Sequence, residues 1–127
     1  MSKVVLDASA LLAYLHREPG CLEVQAVLPQ AAIGAVNLCE VMTKLVEAGL
    51  TELEALTTLR RLRIAVIPFD KGMALHTGAL RKLTKSLGMS LGDRACVALG
   101  MHLSLPVMTT DRNWQALSPE VQIQVIR

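Results

Sequence analysis

Residues 3–18 read KVVLDASALLAYLHRE, and this stretch decides the architecture of the chain. The run VVL is apolar and rich in β-branched residues, it ends at Asp7, and the leucines that follow recur at helical spacing. The segment therefore predicts a buried strand that passes directly into a helix. An acid that closes a buried strand is costly unless it is paired or bound to a metal ion. Asp7 is therefore the first candidate site residue.

The same alternation of short strands and helices continues along the remaining chain. Further strands are predicted at AAIGAV (31–36), IAVIPF (64–69), LPVMTTD (105–111) and VQIQVI (121–126), with a short helix at 21–28. Strands that alternate with helices favour a parallel sheet covered on both faces. We therefore expect the α/β class, as a three-layer α/β/α sandwich with a central parallel sheet. No linker-like segment interrupts the pattern, so residues 1–127 are expected to form a single domain.

Capping residues predict where the longer helices begin. The predicted N-caps are Asn37 for a helix over 37–49, Thr51 for 51–62, Asp70 for one long helix over 70–88, and Ser90 for 90–103. Each of these side chains can accept a hydrogen bond from a free backbone N–H group in the first turn. Thr51 and Ser90 are each followed three residues later by an acid, which is typical of a capping box.

Composition excludes several classes of protein. The chain is 52% hydrophobic with a formal charge of only +2, and charge or glycine breaks its apolar stretches before the roughly 18 residues of a membrane helix. The N-terminus is a poor secretory signal, so a cytoplasmic protein with no membrane span is expected. Cys21, Cys39 and Cys96 lie in apolar helical patterns and are expected to be reduced core thiols. The three histidines are scattered singly, so a zinc site is not expected.

Two short clusters of positive charge stand out against the weak overall charge. They are Arg60, Arg61 and Arg63, and Arg81, Lys82 and Lys85. Either cluster could contact nucleic-acid phosphates, or it could be an ordinary solvated helix face. The sequence leaves both interpretations open.

Four acids are predicted at one edge of the sheet, because parallel strands all end at the same edge and ligands bind outside their carboxyl ends. Asp7 and Asp111 end the first and fourth predicted strands. Glu40 is expected in the first turn of the helix after the second strand. Asp93 opens the helix that leads into the fourth strand, and it joins the others if the preceding helix returns to that edge.

Several carboxylates at close range raise each other's pKa values and cannot all stay ionised unaided. A divalent cation resolves the conflict, and ligands that are all oxygen select Mg²⁺ or Mn²⁺. Such an ion can activate water for attack on a phosphodiester. Taken singly, Asp93 could be a favourable charge at a helix start, Asp111 a turn former and Glu40 a partner of the helix dipole. Asp70 is fully explained as an N-cap and is left outside the site.

The chain resembles the PIN-domain ribonucleases and, within them, the VapC toxins of bacterial and archaeal toxin–antitoxin pairs. The segments that carry the resemblance are VVLDASALLAYLHREPG (4–20), NLCEVMTKL (37–45), SLGDRACVALG (90–100) and PVMTTDRNW (106–114). The resemblance extends over essentially the whole chain. It implies a parallel sheet with the strand order 3-2-1-4-5.

The resemblance also implies a set of site residues. The acids Asp7, Glu40, Asp93 and Asp111 match the acidic metal site of the family, with Mg²⁺ or Mn²⁺ as the expected cofactor. Hydroxyl positions of the family that orient ligands or water match Ser9 and Thr110, for which local hydrogen bonding is the alternative. Where many relatives carry a further acid this chain has Asn113, which leaves one or two metal ions open.

The function implied by the resemblance is a metal-dependent endoribonuclease toxin. Such toxins are neutralised by a cognate VapB-type antitoxin whose tail occupies the active-site groove, and they commonly form homodimers. Arg17, Arg94 and Arg112 lie beside the acidic motifs and could meet phosphate, or they could be surface arginines without a partner. Aromatic content is only 2%, so recognition is expected to rest on RNA shape and backbone rather than stacking.

Two alternatives belong to other classes. A non-catalytic PIN-like module would use the same fold to hold RNA or a protein partner. A phosphoryl-transfer receiver domain would also place acids at strand ends. The adjoining acid pair and the late lysine expected of receivers are missing from this sequence, because TTDRNW stands where the fourth strand ends.

Overall fold

A five-stranded sheet forms the centre of the protein in a computed structural model that describes residues 1–117 and 120–127. Its strands are β1 (Val4–Leu6), β2 (Ala31–Gly34), β3 (Ala65–Ile67), β4 (Val107–Thr109) and β5 (Ile123–Val125). All neighbouring strands pair in parallel, in the order β3-β2-β1-β4-β5. The predicted α/β class and the strand order implied by the resemblance are confirmed.

Helices cover both faces of the sheet. They are α1 (Ala8–Leu15), α2 (Cys21–Val27), α3 (Ala35–Glu47), α4 (Glu52–Leu62), α5 (Lys71–Ala79), α6 (Arg81–Thr84) and α7 (Leu91–Leu103), with 3₁₀ turns at Leu28–Gln30, Lys85–Leu87 and Arg112–Ala116. Val4 and Leu6 pack into one buried cluster with α1 to α4, whereas Val5 packs into a second cluster with α5, α7 and Trp114. Successive strand residues point to opposite faces, so the three residues of β1 connect both helical layers.

The predicted start of α3 is wrong. The helix begins at Ala35 with Gly34 as its N-cap, so β2 passes into α3 without a loop. Asn37 is therefore inside the first turn, where it is only 2% exposed and its side chain reaches another helix instead of capping its own. As a consequence Glu40 lies in the second turn of α3, not the first as predicted.

The single long helix predicted over 70–88 is also wrong. Asp70 caps α5 as predicted, with its Oδ1 accepting a hydrogen bond from Met73 N at 2.9 Å. The helix then ends, and α6 and a 3₁₀ turn follow as separate short elements. Leu80 remains in the right-handed helical region, and Leu80 N and Thr84 N still donate to the carbonyl oxygens four residues earlier, so the interruption between α5 and α6 is a single residue. The capping boxes predicted at Thr51 and Ser90 are confirmed.

The cysteines follow the prediction in part. All three are free thiols, and Cys96 is fully buried while Cys21 is half-buried. Cys39 is exposed and is not the core thiol that was predicted. The buried stripe of α3 comprises Asn37, Val41 and Leu45, so residue 39 points away from it.

Within the described ranges, no helix combines the length and the apolar character needed to cross a bilayer.

Candidate active site

Asp7 occupies the point where β1 ends and α1 begins, and it is only 5% exposed. Its Oδ1 accepts hydrogen bonds from Ala10 N at 2.8 Å and from Ser9 Oγ at 2.7 Å. Its Oδ2 accepts a hydrogen bond from Thr109 Oγ1 at 2.5 Å. Both carboxylate oxygens therefore have fixed directions, and Asp7 is also the N-cap of α1.

Burial raises the pKa of Asp7 from 3.8 to about 6. The hydrogen bonds from Thr109, Ser9 and the Ala10 backbone lower this pKa, and the nearby charge of Asp93 raises it further. Desolvation therefore outweighs the three hydrogen bonds. A positive charge beside Asp7 would act in the opposite direction and favour its ionised form.

Thr109 is a site residue that the sequence analysis missed. It is fully buried, donates its hydroxyl hydrogen to Asp7, and accepts a hydrogen bond from Asp111 N at 3.1 Å. The residue predicted instead was Thr110, whose backbone N–H donates to Ser9 Oγ at 3.1 Å. The register that pairs Val5 with Val107 and Leu6 with Met108 brings residue 109 opposite Asp7. Only the pairing register of β1 and β4 identifies Thr109 as the partner of Asp7, and this register follows from the strand order.

Glu40 projects from α3 and lies against the start of α7. Asn37 Nδ2 donates hydrogen bonds to Glu40 Oε1 at 2.8 Å and to the carbonyl oxygen of Gly92 at 3.0 Å. A Cβ atom placed on Gly92 would stand 2.4 Å from Glu40 Oε2. The carboxylate of Glu40 therefore rests on the backbone that immediately precedes Asp93.

Asp93 lies in the first turn of α7 and completes its capping box. Its Oδ2 accepts a hydrogen bond from Ser90 N at 3.0 Å, and Ser90 Oγ accepts one from Asp93 N at 3.2 Å. Asp93 therefore does stabilise the start of α7, as the local alternative proposed. The charge of Asp93 nevertheless raises the pKa of Asp7, so the two carboxyl groups interact electrostatically.

Cys96 lies one turn after Asp93 on α7, and its thiol is affected by the charges of three of the acids. Burial raises the pKa of this thiol well above its usual range, and the charges of Asp7, Asp93 and Glu40 raise it further. The three residues lie at the junction of β1 and α1, on α3 and in the first turn of α7. Asp7, Glu40 and Asp93 are therefore near enough to Cys96 for their charges to act on its thiol.

Asp111 is connected to the other acids through its backbone N–H group, whereas its carboxylate bonds to the following 3₁₀ turn. It is exposed and caps the 3₁₀ turn Arg112–Ala116, with Oδ1 accepting a hydrogen bond from Asn113 N at 2.9 Å. The link between Asp111 and the other acids runs through Thr109, which bonds both the N–H of Asp111 and the carboxylate of Asp7.

The three arginines beside the acidic motifs differ in their surroundings. Arg17 and Arg112 are exposed, and Arg112 donates a hydrogen bond to the carbonyl oxygen of Arg127 at 3.3 Å. Arg94 is half-buried and its Nη1 donates to the carbonyl oxygen of Thr77 at 3.1 Å, which ties α7 to α5. Arg17 and Arg112 are therefore accessible to a ligand, whereas Arg94 is engaged in packing.

The acids at this edge are candidate ligands for a hard divalent cation. In the part of the chain that is described, no three His, Cys, Asp or Glu side chains already form a metal-binding group. The chemistry of the donors fits nevertheless, because the acids at this edge supply only carboxylate oxygens and Mg²⁺ needs one or two of these beside its waters. A cation would also offset the desolvation that raises the pKa of Asp7.

Comparisons with known proteins agree with this fold. The sequence model of the PIN domain family matches residues 4–118. The solved structure of DNA-bound VapBC from Salmonella typhimurium has a chain that is 20% identical, with a TM-score of 0.77 and coverage of 100% of both chains. A toxin–antitoxin complex from Klebsiella pneumoniae has a TM-score of 0.77 at 18% identity, covering 98% of each chain.

A third similar structure is VapBC-5 from Mycobacterium tuberculosis, a member of the VapBC family of toxin–antitoxin systems. It is 23% identical, with a TM-score of 0.62, and the match covers 100% of this chain and 99% of that one. A comparison with curated protein sequences finds no match.

Proposed function

Because the chain belongs to the PIN domain family, we propose that it is a Mg²⁺- or Mn²⁺-dependent endoribonuclease toxin of the VapC type. The observation that carries this proposal is Asp7, a buried carboxylate at a strand end that is held by three hydrogen bonds and faces the charge of Asp93. Such an arrangement is unfavourable for an isolated protein at neutral pH. It becomes favourable once a cation compensates the charge.

The acids Asp7, Glu40, Asp93 and Asp111 would hold the ion. Bound Mg²⁺ or Mn²⁺ would activate a water molecule and stabilise the negative charge that develops when a phosphodiester is cleaved. Thr109 and Ser9 keep both oxygens of Asp7 in place, since each hydroxyl donates to one of them. A direct role of the Thr110 hydroxyl stays a prediction.

We propose that RNA phosphates bind to the edge cluster, defined as Arg81, Lys82 and Lys85. All three residues are exposed. The 3₁₀ turn that carries Lys85 packs against the turn Arg112–Ala116, which follows Asp111 directly. The turn that carries Lys85 therefore neighbours the segment after Asp111, and the proposed RNA path runs along the edge cluster toward the acids.

The rear cluster, defined as Arg60, Arg61 and Arg63, has a different position. These residues end α4 and precede β3, at the edge of the sheet opposite to the acids. They are also exposed, so the two clusters differ in place rather than in charge or exposure. The rear cluster is therefore a matched control for the edge cluster.

We further propose that a VapB-type antitoxin inhibits the enzyme and that the toxin is a cytoplasmic homodimer formed by residues 1–127 as one domain. The similar structures from Salmonella typhimurium and Klebsiella pneumoniae are VapBC or toxin–antitoxin complexes. A largely apolar cleft of about 550 Å³ borders Glu40 and Gly92. This cleft suits an apolar side chain of an inhibitor tail. Unpaired cysteines are typical of a reducing compartment.

The activity test uses purified protein and a structured RNA with Mn²⁺. We expect cleavage by the wild type and loss of cleavage in Asp7→Asn. Asp70→Asn is the matched control, because Asp70 also follows a strand and caps a helix but lies outside the site. Cleavage that persists in excess EDTA or in folded Asp7→Asn would refute the metal mechanism.

A non-catalytic PIN-like binding module is the second candidate. It is favoured by the local hydrogen bonds of Asp93 and Asp111, each of which already accepts a bond from a backbone N–H group at the start of a helix or 3₁₀ turn. This alternative predicts RNA binding without turnover and no loss of Mn²⁺ binding in Asp93→Asn. Calorimetric titration of Mn²⁺ into wild type and Asp93→Asn separates the two functions.

A further inference from the structure

We propose that Asn37 is a positioning residue that holds Glu40 against the first turn of α7 and thereby sets the affinity of the site for its divalent cation. The inference rests on the proposed function and extends it to a residue outside the acidic set. It is carried by three observations: the hydrogen bonds of the Asn37 amide, its unpaired oxygen, and the missing side chain at residue 92.

Both donor hydrogens of Asn37 are used in the site. Nδ2 donates to Glu40 Oε1 at 2.8 Å and to the Gly92 carbonyl oxygen at 3.0 Å. Both partners are acceptors, so the orientation of the amide is determined by the network itself. Through this one group, α3 is joined to α7 at the position of the Glu40 carboxylate.

The oxygen of the same amide has no hydrogen-bond partner. Asn37 Oδ1 is buried and unpaired in the described structure, and the whole residue is 2% exposed. A buried polar atom without a partner carries a cost in stability. An apolar side chain of similar size would avoid this cost, so stability alone does not explain an asparagine here. The two hydrogen bonds that the Asn37 amide donates to Glu40 and Gly92 do explain the asparagine.

Gly92 holds the carboxylate from the other side. A Cβ atom at this position would lie 2.4 Å from Glu40 Oε2 and 2.5 Å from both Cδ and Oε1. The backbone of Gly92 needs no left-handed conformation, since the glycines with positive φ are Gly20, Gly49 and Gly88. The absent side chain at 92 therefore makes room for the carboxylate of Glu40, which Asn37 keeps there.

The competing explanation is that Asn37 only fastens α3 to α7 through the Gly92 carbonyl. A purely structural tie predicts a lower free energy of unfolding in Asn37→Ala with unchanged Mn²⁺ affinity. Positioning predicts weaker Mn²⁺ binding, because residues that orient metal ligands contribute about 10–100-fold to affinity. The two explanations therefore differ in a quantity that can be measured without RNA cleavage.

The experiment is calorimetric titration of Mn²⁺ into the full chain, with urea unfolding of every variant. We expect Asn37→Ala and Gly92→Ala each to raise the Mn²⁺ Kd about 10–100-fold. In a Glu40→Gln background, Asn37→Ala should change the Kd by less than about twofold, because its effect passes through Glu40. Thr84→Val is the control, since Thr84 is fully buried and its hydroxyl donates to the carbonyl oxygen of Leu80 rather than to any of the acids. It should lower stability and leave the Kd unchanged.

Two results overturn the inference. One is a Mn²⁺ Kd within twofold of wild type in Asn37→Ala, or in Gly92→Ala if the first variant does not fold. The other is an undiminished effect of Asn37→Ala in the Glu40→Gln background. Failure of the proposed function has a separate signature, because a wild type that neither binds Mn²⁺ nor cleaves RNA overturns both. A wild type that does both while the variants bind Mn²⁺ equally well overturns only the role of Asn37.

Discussion

Asp7→Asn is expected to stabilise the metal-free protein while removing its activity. The carboxylate of Asp7 is buried, and its pKa is raised from 3.8 to about 6. A raised pKa in the folded state means that ionisation of Asp7 opposes folding, and this cost is absent below pH 3.8 and complete above pH 6. Asparagine keeps the shape and one acceptor oxygen but carries no charge. Its amide can donate to Thr109 Oγ1, which accepts as well as donates.

The magnitude follows from the two pKa values of Asp7. At about 1.4 kcal/mol per pKa unit, the difference corresponds to at most about 3 kcal/mol at pH 7.5. At pH 4.5 the linkage relation leaves only about 1 kcal/mol, since most of the carboxyl groups are then protonated in the folded state. For a domain of this size, about 3 kcal/mol shifts the Tm by roughly 10 °C.

The assay is urea unfolding of wild type and Asp7→Asn in excess EDTA at pH 4.5 and pH 7.5. The gain of Asp7→Asn over wild type should be larger at the higher pH. Asp70→Asn is the control, because Asp70 is exposed and no such gain is expected. If Asp7→Asn is no more stable than wild type at pH 7.5, or if its gain does not change with pH, the reasoning about Asp7 is refuted.

Further substitutions test three separate parts of the structure: the hydrogen bond that holds Asp7, the proposed RNA path and the packing of two helical glycines. Thr109→Val removes a hydrogen bond that lowers the pKa of Asp7, so the pKa should rise further and the free energy of unfolding at pH 7.5 should fall by about 1–3 kcal/mol. Urea unfolding should show a smaller loss at pH 4.5, and an equal loss at both pH values would contradict this role. Neutralising the edge cluster with three glutamines should reduce the salt slope of RNA binding by about 2, measured by fluorescence anisotropy between 50 and 200 mM salt. The same change in the rear cluster should leave the slope unaltered, and equal effects of both would refute the proposed RNA path. Gly100→Ala would place a Cβ atom 2.4 Å from Val107 Cγ2 and should cost about 1–3 kcal/mol. Gly78→Ala meets nothing within 4 Å and should gain about 0.5–1 kcal/mol, as thermal unfolding of both variants will show.

Local patterns in the sequence were sufficient for the α/β class, whereas the strand order was implied by the resemblance to the PIN-domain family. The strands, their alternation with helices and the caps at Asp70, Thr51 and Ser90 depend on residues within one or two turns of each other. Such short-range preferences can be read without coordinates. The buried position of Asp7 follows in the same way, because an acid directly after a buried strand has few alternatives.

The finer features of the site depended on contacts between residues far apart in the chain. Thr109 rather than Thr110 holds Asp7, because the pairing register of β1 and β4 decides which hydroxyl faces the carboxylate. The side chain of Asn37 donates a hydrogen bond to Gly92, which is 55 positions away in the sequence. It therefore belongs to the site and does not cap α3.

The interruption at Leu80 was not predicted either. The pattern of residues 70–88 favours one helix, whereas the structure divides this segment at Leu80 into α5 and α6. Sequence alone therefore determined the candidate acids and the alternation of strands with helices, since hydrophobic patterning and capping act locally. Only the tertiary structure decided which side chains hold those acids, because hydrogen bonds between distant segments depend on register and packing.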